Sequence, residues 1–333
     1  MNYKYLIFVL LFLFVGCSNH STPQKKVIPS WYTKSPKNNI TIYGYGTSVS
    51  LKNAKMQARE EIAKSIRVNV RSEYQTMLES KNEVIQKKIK QTISEYTNIV
   101  LEDISVDKIE EHDQLWYVRM KYLNLPVVEQ IRLAFEKNKL SKMKICNPLY
   151  YSEFSKKLKK VFGYTPNYII FYKNGIFFIN MYKHNFILDI KQIHQFFFIH
   201  ENPDILFHAS KENLIAGEYF HFIIDHRKDR YISLLQIDED GKVIVHFGNV
   251  VSDRIIYPNL GMYEGLEAGI LNNKDKALEM YIVVSCQDRK NFAKYEEVSL
   301  DYMINNDALR FPHLFDELNE CEYSSLILKT TKK

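Results

Sequence analysis

The sequence predicts an α+β protein: an N-terminal domain of order β-α-β-α-β-β-α, then a mainly antiparallel, β-sandwich-like C-terminal domain. Three observations carry this. Helical and strand periodicities alternate between residues 40 and 140. From residue 203 onward, short alternating runs follow one another between turn residues. The aromatic share is 14%, with 23 Tyr and 20 Phe, a composition that favours strands. At about 150 residues per domain, a chain of 333 residues is expected to hold two or three domains.

Residues 40–46 alternate as the first strand. Ser50 is placed to cap a helix in which Ala54, Ala58, Ile62 and Ile66 fall four apart, a narrow small-residue face that lets a helix lie close on a sheet. Residues 67–77 alternate valines and a tyrosine with polar residues and read as a strand with one wet face. Residues 82–100 carry Val84, Ile85, Ile89, Ile93 and Tyr96 at helical spacing, with Lys87, Lys88 and Lys90 outside. Residues 106–110 and 115–122 flank the turn-like Glu111-His112-Asp113-Gln114 and make a hairpin; 125–140 close the domain as a helix begun near Pro126. This N-terminal domain is assigned to residues 31–145.

Residues 146–200 form a small middle section. Tyr150, Phe154, Leu158 and Val161 line one side of a helix, with Lys156, Lys157, Lys159 and Lys160 elsewhere on it. Residues 168–172 and 176–182 flank Asn174-Gly175, a strong hairpin signal. Residues 201–333 make the β-rich domain, with strands over 205–209, 219–225, 231–237, 242–247 and 280–286.

The N-terminus reads differently. Lys4, the apolar run from Leu6 to Val15, Gly16 and Cys17 have the layout of a signal peptide over residues 1–16. The run is half of the roughly 20 residues that a helix needs to cross a hydrocarbon core. Val15-Gly16-Cys17 has the form of a lipobox, with Phe14 where leucine is usual, so Cys17 is the expected site of lipidation and palmitate its expected acyl group. The competing account is a buried apolar helix whose cysteine is incidental. Residues 17–30 then form a lipidated tether; its stretch from 18 to 30, polar and aperiodic, reaches roughly 40 Å when extended. Ser18 in place of aspartate implies, by similarity to lipoprotein signals, passage to the outer membrane.

Three motifs carry a family resemblance. Pro29-Ser30-Trp31-Tyr32 fits P-x-W-[YF]; Tyr43-Gly44-Tyr45-Gly46-Thr47-Ser48 fits a glycine-containing first strand; residues 54–63 (AKMQAREEIA) fit A-x-x-x-A-R-x-x-[IL]-A. On these, residues 29–140 resemble the twenty-kilodalton outer-membrane lipoprotein family, the Lpp-twenty family. Residues 231–237, the turn Asp238-Glu239-Asp240-Gly241, Lys242-Val243 and Tyr257-Pro258-Asn259 are similar to a β-rich, lipoprotein-associated bacterial domain of unknown function, without established catalytic residues. Here the Pro-Asn pair stands further from the strand than is usual there. The resemblance implies a lipid-anchored outer-membrane protein facing the periplasm, a non-catalytic envelope or flagellum-associated scaffold or adaptor. Its partners would be membrane lipid through Cys17, envelope or flagellar proteins, and further copies of itself. No catalytic, cofactor-binding or metal-binding residues are expected. The alternatives are a C-terminal module binding cell wall or a small ligand, and a hydrolase with an unrecognised site.

Net charge is +6, falling to +5 without Lys4, too mild to argue for nucleic acid, which export also disfavours. Attraction to anionic lipid or cell-wall polymer stays compatible with it. With Cys17 assigned to lipid, Cys146, Cys286 and Cys321 remain; export permits disulfides, and Cys286 with Cys321 is the preferred pair because both fall in one domain. No CxxC pair supports zinc or redox chemistry. Gly44-Tyr45-Gly46 invites a dinucleotide loop, but the third glycine position is Val49, so a strand bend is the better account. Asp238-Glu239-Asp240-Gly241 lacks the ligand spread of a calcium loop and reads as a hairpin turn. His221, Asp225, His226 and His246 could gather as a metal or acid–base cluster, against the commoner fate of satisfied strand residues. Neither G-x-S-x-G nor H-E-x-x-H nor a P-loop occurs. The lysines at 156–160 fit either a helix seated on a membrane or one packed on its own domain.

Overall fold

The computed structural model describes residues 28–34, 36, 40–73, 83–102, 104–173, 176–226, 229–261, 263–270, 275–295 and 311–333. Cys17, the expected signal peptide and most of the tether lie outside them. In chain order the first elements are α1 (Ser30–Thr33), β1 (Thr41–Ser48), α2 (Leu51–Glu73), α3 (Glu83–Glu102), β2 (Ser105–His112) and β3 (Leu115–Leu123). Next come α4 (Val127–Phe135), α5 (Glu153–Phe162), β4 (Ile169–Lys173), β5 (Ile176–Met181), β6 (His184–Leu188) and β7 (Ile205–Ala209). Then follow β8 (Asn213–Ile215), β9 (Tyr219–Phe220), β10 (Phe222–His226), β11 (Tyr231–Ile237), β12 (Val243–Val250) and β13 (Arg254–Tyr257). The last are β14 (Leu266–Glu267), β15 (Lys276–Cys286), α6 (Phe311–Leu318) and β16 (Glu322–Thr331). The chain divides into two compact units: residues up to 64 with 103–123, and residues 65–102 with 124–333.

In the first unit β3 lies between β1 and β2, antiparallel to both. The β2–β3 turn is the pair Asp113-Gln114, both at positive φ as a two-residue hairpin loop requires. Gly44 and Gly46 of β1 face the start of α2. A Cβ on Gly44 would lie 2.0 Å from the Ala58 carbonyl oxygen, and one on Gly46 would lie 1.9 Å from that of Ala54. The two glycines and the two alanines therefore form one close contact, and Ala54, Ala58 and Ile62 are fully buried.

The strand expected over residues 67–77 is corrected: through Glu73 this stretch continues α2, and 74–77 lie outside the described residues. The alternation of valines misled because Val68 simply stands in solvent, 62% exposed, on the outer side of a helix whose inner side runs Ala54, Ala58, Ile62, Ile66. Extending a helix fixes one residue per hydrogen bond, whereas a strand needs a neighbour to pair with. The order of this region is thus β-α-α-β-β-α. The helix expected over 82–100 is present as α3, with Ile93, Thr97 and Val100 buried.

The second unit is built on a five-stranded sheet of order β12-β11-β15-β16-β8, antiparallel except for the β16–β8 pair. Both faces are buried. Leu235, Ile237, Met280, Ile282 and Val284 join one core with Ile131 and Phe135 of α4, Phe154 and Leu158 of α5, Phe177 and Ile179 of β5, the run Phe196-Phe197-Phe198, and Phe311 and Phe315 of α6. Ile232, Leu234, Tyr281 and Val283 join a second core with Ile205, Phe222 and Ile224 of the three-stranded sheet β13-β10-β7. The apolar stretch Met280 to Val284 is what a strand covered on both sides looks like.

The expected sandwich is therefore present, but its larger sheet carries a third layer. That layer holds the middle section and α4, so packing shows no break at residue 145 or 200. The hairpin read around Asn174-Gly175 is present as β4 and β5, with β6 added at its far side; the two turn residues lie outside the description. In α5 the Ser152 hydroxyl accepts from the Ser155 N–H at 3.1 Å, and Gly163 closes the helix at φ +78°. Cys286 and Cys321 form a disulfide joining the end of β15 to the approach of β16.

Candidate functional site

The face of the first sheet turned away from Ala54 and Ala58 gathers the side chains that chemistry could use. Tyr43 and Tyr45 of β1 lie across from Lys121 and Arg119 of β3. The Arg119 Nη2 is 2.6 Å from Asp107 Oδ2, its Nε donates to the same oxygen at 2.8 Å, and Lys121 Nζ lies 3.3 Å from Asp107 Oδ1. The guanidinium carbon sits 5.5 Å from the Trp31 ring centre and 5.0 Å from that of Tyr43, and Arg119 Nη1 donates to the Trp31 carbonyl. Trp31 Nε1 in turn donates to Glu110, and Tyr32 packs edge-on against Tyr45 and Tyr117. Burial opposes charge on Asp107, yet the Arg119 and Lys121 hydrogen bonds outweigh it and hold the carboxyl below its ordinary pKa.

Arg119 is therefore the clasp that holds the Pro-Ser-Trp-Tyr segment on the sheet. It is 6% exposed, and removing one partner of such a pair strands the other. Arg119→Ala should cost roughly 3 kcal/mol in urea unfolding followed by tryptophan fluorescence. An unchanged midpoint would show that the clasp carries no stability. No sequence motif marks this pair; its available signal is opposite charges on facing strands of the hairpin.

Gly44 and Gly46 have no room for a phosphate, since the space beside them is taken by the Ala54 and Ala58 backbone, while Val49 is 75% exposed. The acidic stretch makes a turn: Asp238 Oδ1 accepts from the Asp240 and Lys242 N–H groups at 3.0 and 2.8 Å. The four residues singled out as a cluster go to separate partners. His226 Nε2 lies 2.7 Å from Ser285 Oγ, Asp225 faces Arg254 at 3.6 Å, the His221 N–H donates to Ser210 Oγ, and His246 Nε2 lies 2.8 Å from Gln236 Oε1. No group of three or more metal-ligating side chains occurs among the described residues. The Ser285–His226 contact has the distance of a nucleophile–base pair, but Ser285 is fully buried, so a substrate has no approach to it in this fold.

His246 belongs to a polar chain that the sequence did not point to. With Gln236 Oε1 accepting, the imidazole donates from Nε2; Gln236 also bonds Glu279, and Tyr281 donates to Glu279 at 3.0 Å. The His246 and Tyr281 rings stack 5.7 Å apart. Burial lowers the His246 pKa to about 4 and raises that of Glu279. Burial also raises Asp238 to about 6, against the pull of its Lys242 N–H bond.

These shifts act in opposite directions. Asp238, raised, contributes stability that is complete below its unfolded value near 3.8 and lost as pH climbs through 6. His246, depressed, contributes stability that is complete above 6.5 and lost as pH falls through 4. Each is worth roughly 3 kcal/mol at its limit. Asp238→Asn should therefore steepen the loss of stability from pH 6.5 to 4, and His246→Gln should flatten or reverse it. Urea midpoints at the two pH values check this; parallel profiles in both variants would refute it.

On α5, Phe154, Ser155 and Leu158 face the core, and Lys156, Lys157, Lys159 and Lys160 are exposed. Cys146 is a free, exposed thiol. Among the described residues no helix is long and apolar enough to cross a membrane. Residues 29–119 match the LPP20 lipoprotein family, which bears out the likeness read from the three motifs over that stretch. The match ends within β3, so residues 124–333, the larger part of the second unit, lie beyond it. No curated protein and no solved structure matches the chain.

Proposed function

We propose that the chain is an outer-membrane lipoprotein anchored by acyl chains on Cys17 and facing the periplasm, where it serves as a non-catalytic envelope or flagellum-associated scaffold or adaptor. One observation carries the reading: a Val15-Gly16-Cys17 lipobox stands directly ahead of a segment, residues 29–119, that matches a lipoprotein family. The second unit supports it, since the polar side chains singled out there are held by separate partners, His226 by Ser285, Asp225 by Arg254 and His246 by Gln236. Each buried methylene of an acyl chain contributes about 0.8 kcal/mol, and a single chain holds only marginally, so the reading calls for more than one chain on the cysteine.

Fractionation of cells making the wild type and Cys17→Ser, with mass spectrometry of the N-terminal peptide, tests the anchor. The expected result is acylated Cys17 in the outer-membrane fraction and release of the variant. A cytosolic chain with its first methionine and a bare thiol would overturn it. For the adaptor role, the expected result is copurification with envelope or flagellar proteins and a larger species on sizing. Retention of the non-lipidated chain on peptidoglycan alone would instead favour a cell-wall binding module.

A further inference from the structure

We infer that the loop between α4 and α5, together with the outer side of α5, forms a second membrane contact, a basic surface for the headgroups of anionic phospholipids. Between Lys137 and Lys160 there are eight lysines and one glutamate, a net +7 that exceeds the +6 of the whole chain. Averaged over 333 residues this concentration disappears. The fold then brings its two halves together. The Met143 N–H donates to the Thr165 carbonyl at 2.9 Å, Asn167 N–H donates to Ser141 at 2.7 Å, and the Tyr164 hydroxyl donates to the Leu140 carbonyl at 3.1 Å. Lys139, Lys142 and Lys144 are thereby held beside the segment that leaves α5, whose last turn carries Lys159 and Lys160.

The charges of this surface are largely uncompensated. Lys156 pairs with Glu153 at 2.6 Å, Lys157 reaches Gln195, and Lys142 lies over the Tyr164 ring. Among the described residues no carboxylate pairs with Lys137, Lys139, Lys144, Lys159 or Lys160, and the nearby Glu136 is engaged by Arg132. Apolar side chains stand among them: Ile145 is 63% exposed and Val161 37%. Lysines around exposed aliphatic groups suit an interface where phosphate lies above hydrocarbon. That combination selects a bilayer over a purely polar anionic polymer. The inference rests on the envelope reading only for where in the cell the contact would form.

The test uses the chain from Ser18 to Lys333, which keeps every described residue and cannot be held by acyl chains. It is sedimented with vesicles of phosphatidylcholine alone and of phosphatidylcholine mixed with phosphatidylglycerol. Binding is expected to the mixed vesicles only, and to weaken with salt. At roughly fivefold per lysine, Lys142→Gln, Lys144→Gln, Lys159→Gln and Lys160→Gln together should weaken it by about six hundredfold. The same change at the exposed Lys34, Lys52, Lys64 and Lys108 should leave it unaltered. All eight positions are on the surface, and a circular-dichroism melt confirms that each variant folds. Equal binding of the wild type and the first variant, absence of binding to mixed vesicles, or retention on purified peptidoglycan without vesicle binding would each overturn the inference. Because the acylated residue is absent, such a failure would leave the lipid anchor standing.

Discussion

Gly46→Ala lowers the stability of the first unit by about 3 kcal/mol or more, the expected result of placing a methyl group 1.9 Å from a carbonyl oxygen. The obstacle is the backbone of α2 at Ala54, with the Ala58 nitrogen 2.8 Å away, so no side-chain rotation relieves it. Either the helix lifts from the sheet or β1 bends away, and both uncover Ala54, Ala58 and Ile62. Gly44→Ala meets Ala58 in the same way. The measurement is simple because both tryptophans, Trp31 and Trp116, lie in this unit. Tryptophan fluorescence in urea should shift, while the strand signal in circular dichroism, coming mostly from the second unit, should not. Gly163→Ala is the control: its surroundings are open and only its φ of +78° opposes a side chain, a cost of about 1 kcal/mol. An unshifted fluorescence midpoint in Gly46→Ala would mean that α2 does not lie on β1.

The second large effect belongs to the disulfide. Cys286 and Cys321 are 35 residues apart, and closing a loop of that length restricts the unfolded chain by roughly 4 kcal/mol. The double variant Cys286→Ala, Cys321→Ala should lose about that much in the circular-dichroism transition, leaving the fluorescence transition in place. The folded chain from Ser18 onward should show one reactive thiol, Cys146, rising to three after reduction in denaturant. Three thiols titrating before reduction would contradict the bridge.

How much of this was legible in the sequence depended on whether a segment's partner was local. The contact of Gly44 and Gly46 with Ala54 and Ala58 could be anticipated, because small residues four apart on a helix directly follow a glycine-bearing strand. The β2–β3 hairpin was equally plain from its turn. Residues 67–73 were not, since three polar–apolar alternations fit a strand while the helix preceding them was already packed. β16 escaped notice because Ser324 and Ser325 interrupt its apolar run. Both are buried, with their hydroxyls donating to the Ile205 and Phe198 carbonyls. Partners more than a hundred residues away leave no local trace. The Arg119–Asp107 clasp and the His246–Gln236–Glu279 chain carry no motif for a related reason: strand register, not spacing, brings them together. Of the basic surface, the lysines at 156–160 could be read from the sequence, whereas their joining with Lys139, Lys142 and Lys144 depends on the backbone pairing of 141–143 with 165–167.

β16 is an interior strand, hydrogen-bonded to β15 on one side and to β8 on the other. Its residues, Glu322–Thr331, follow those of every other strand of the sheet in the chain. Until they emerge, β15 has one bare edge and β8 has no companion at all, so the central sheet cannot close before its last strand is made. The sheet that both cores share is thus the part of the second unit that cannot assemble early.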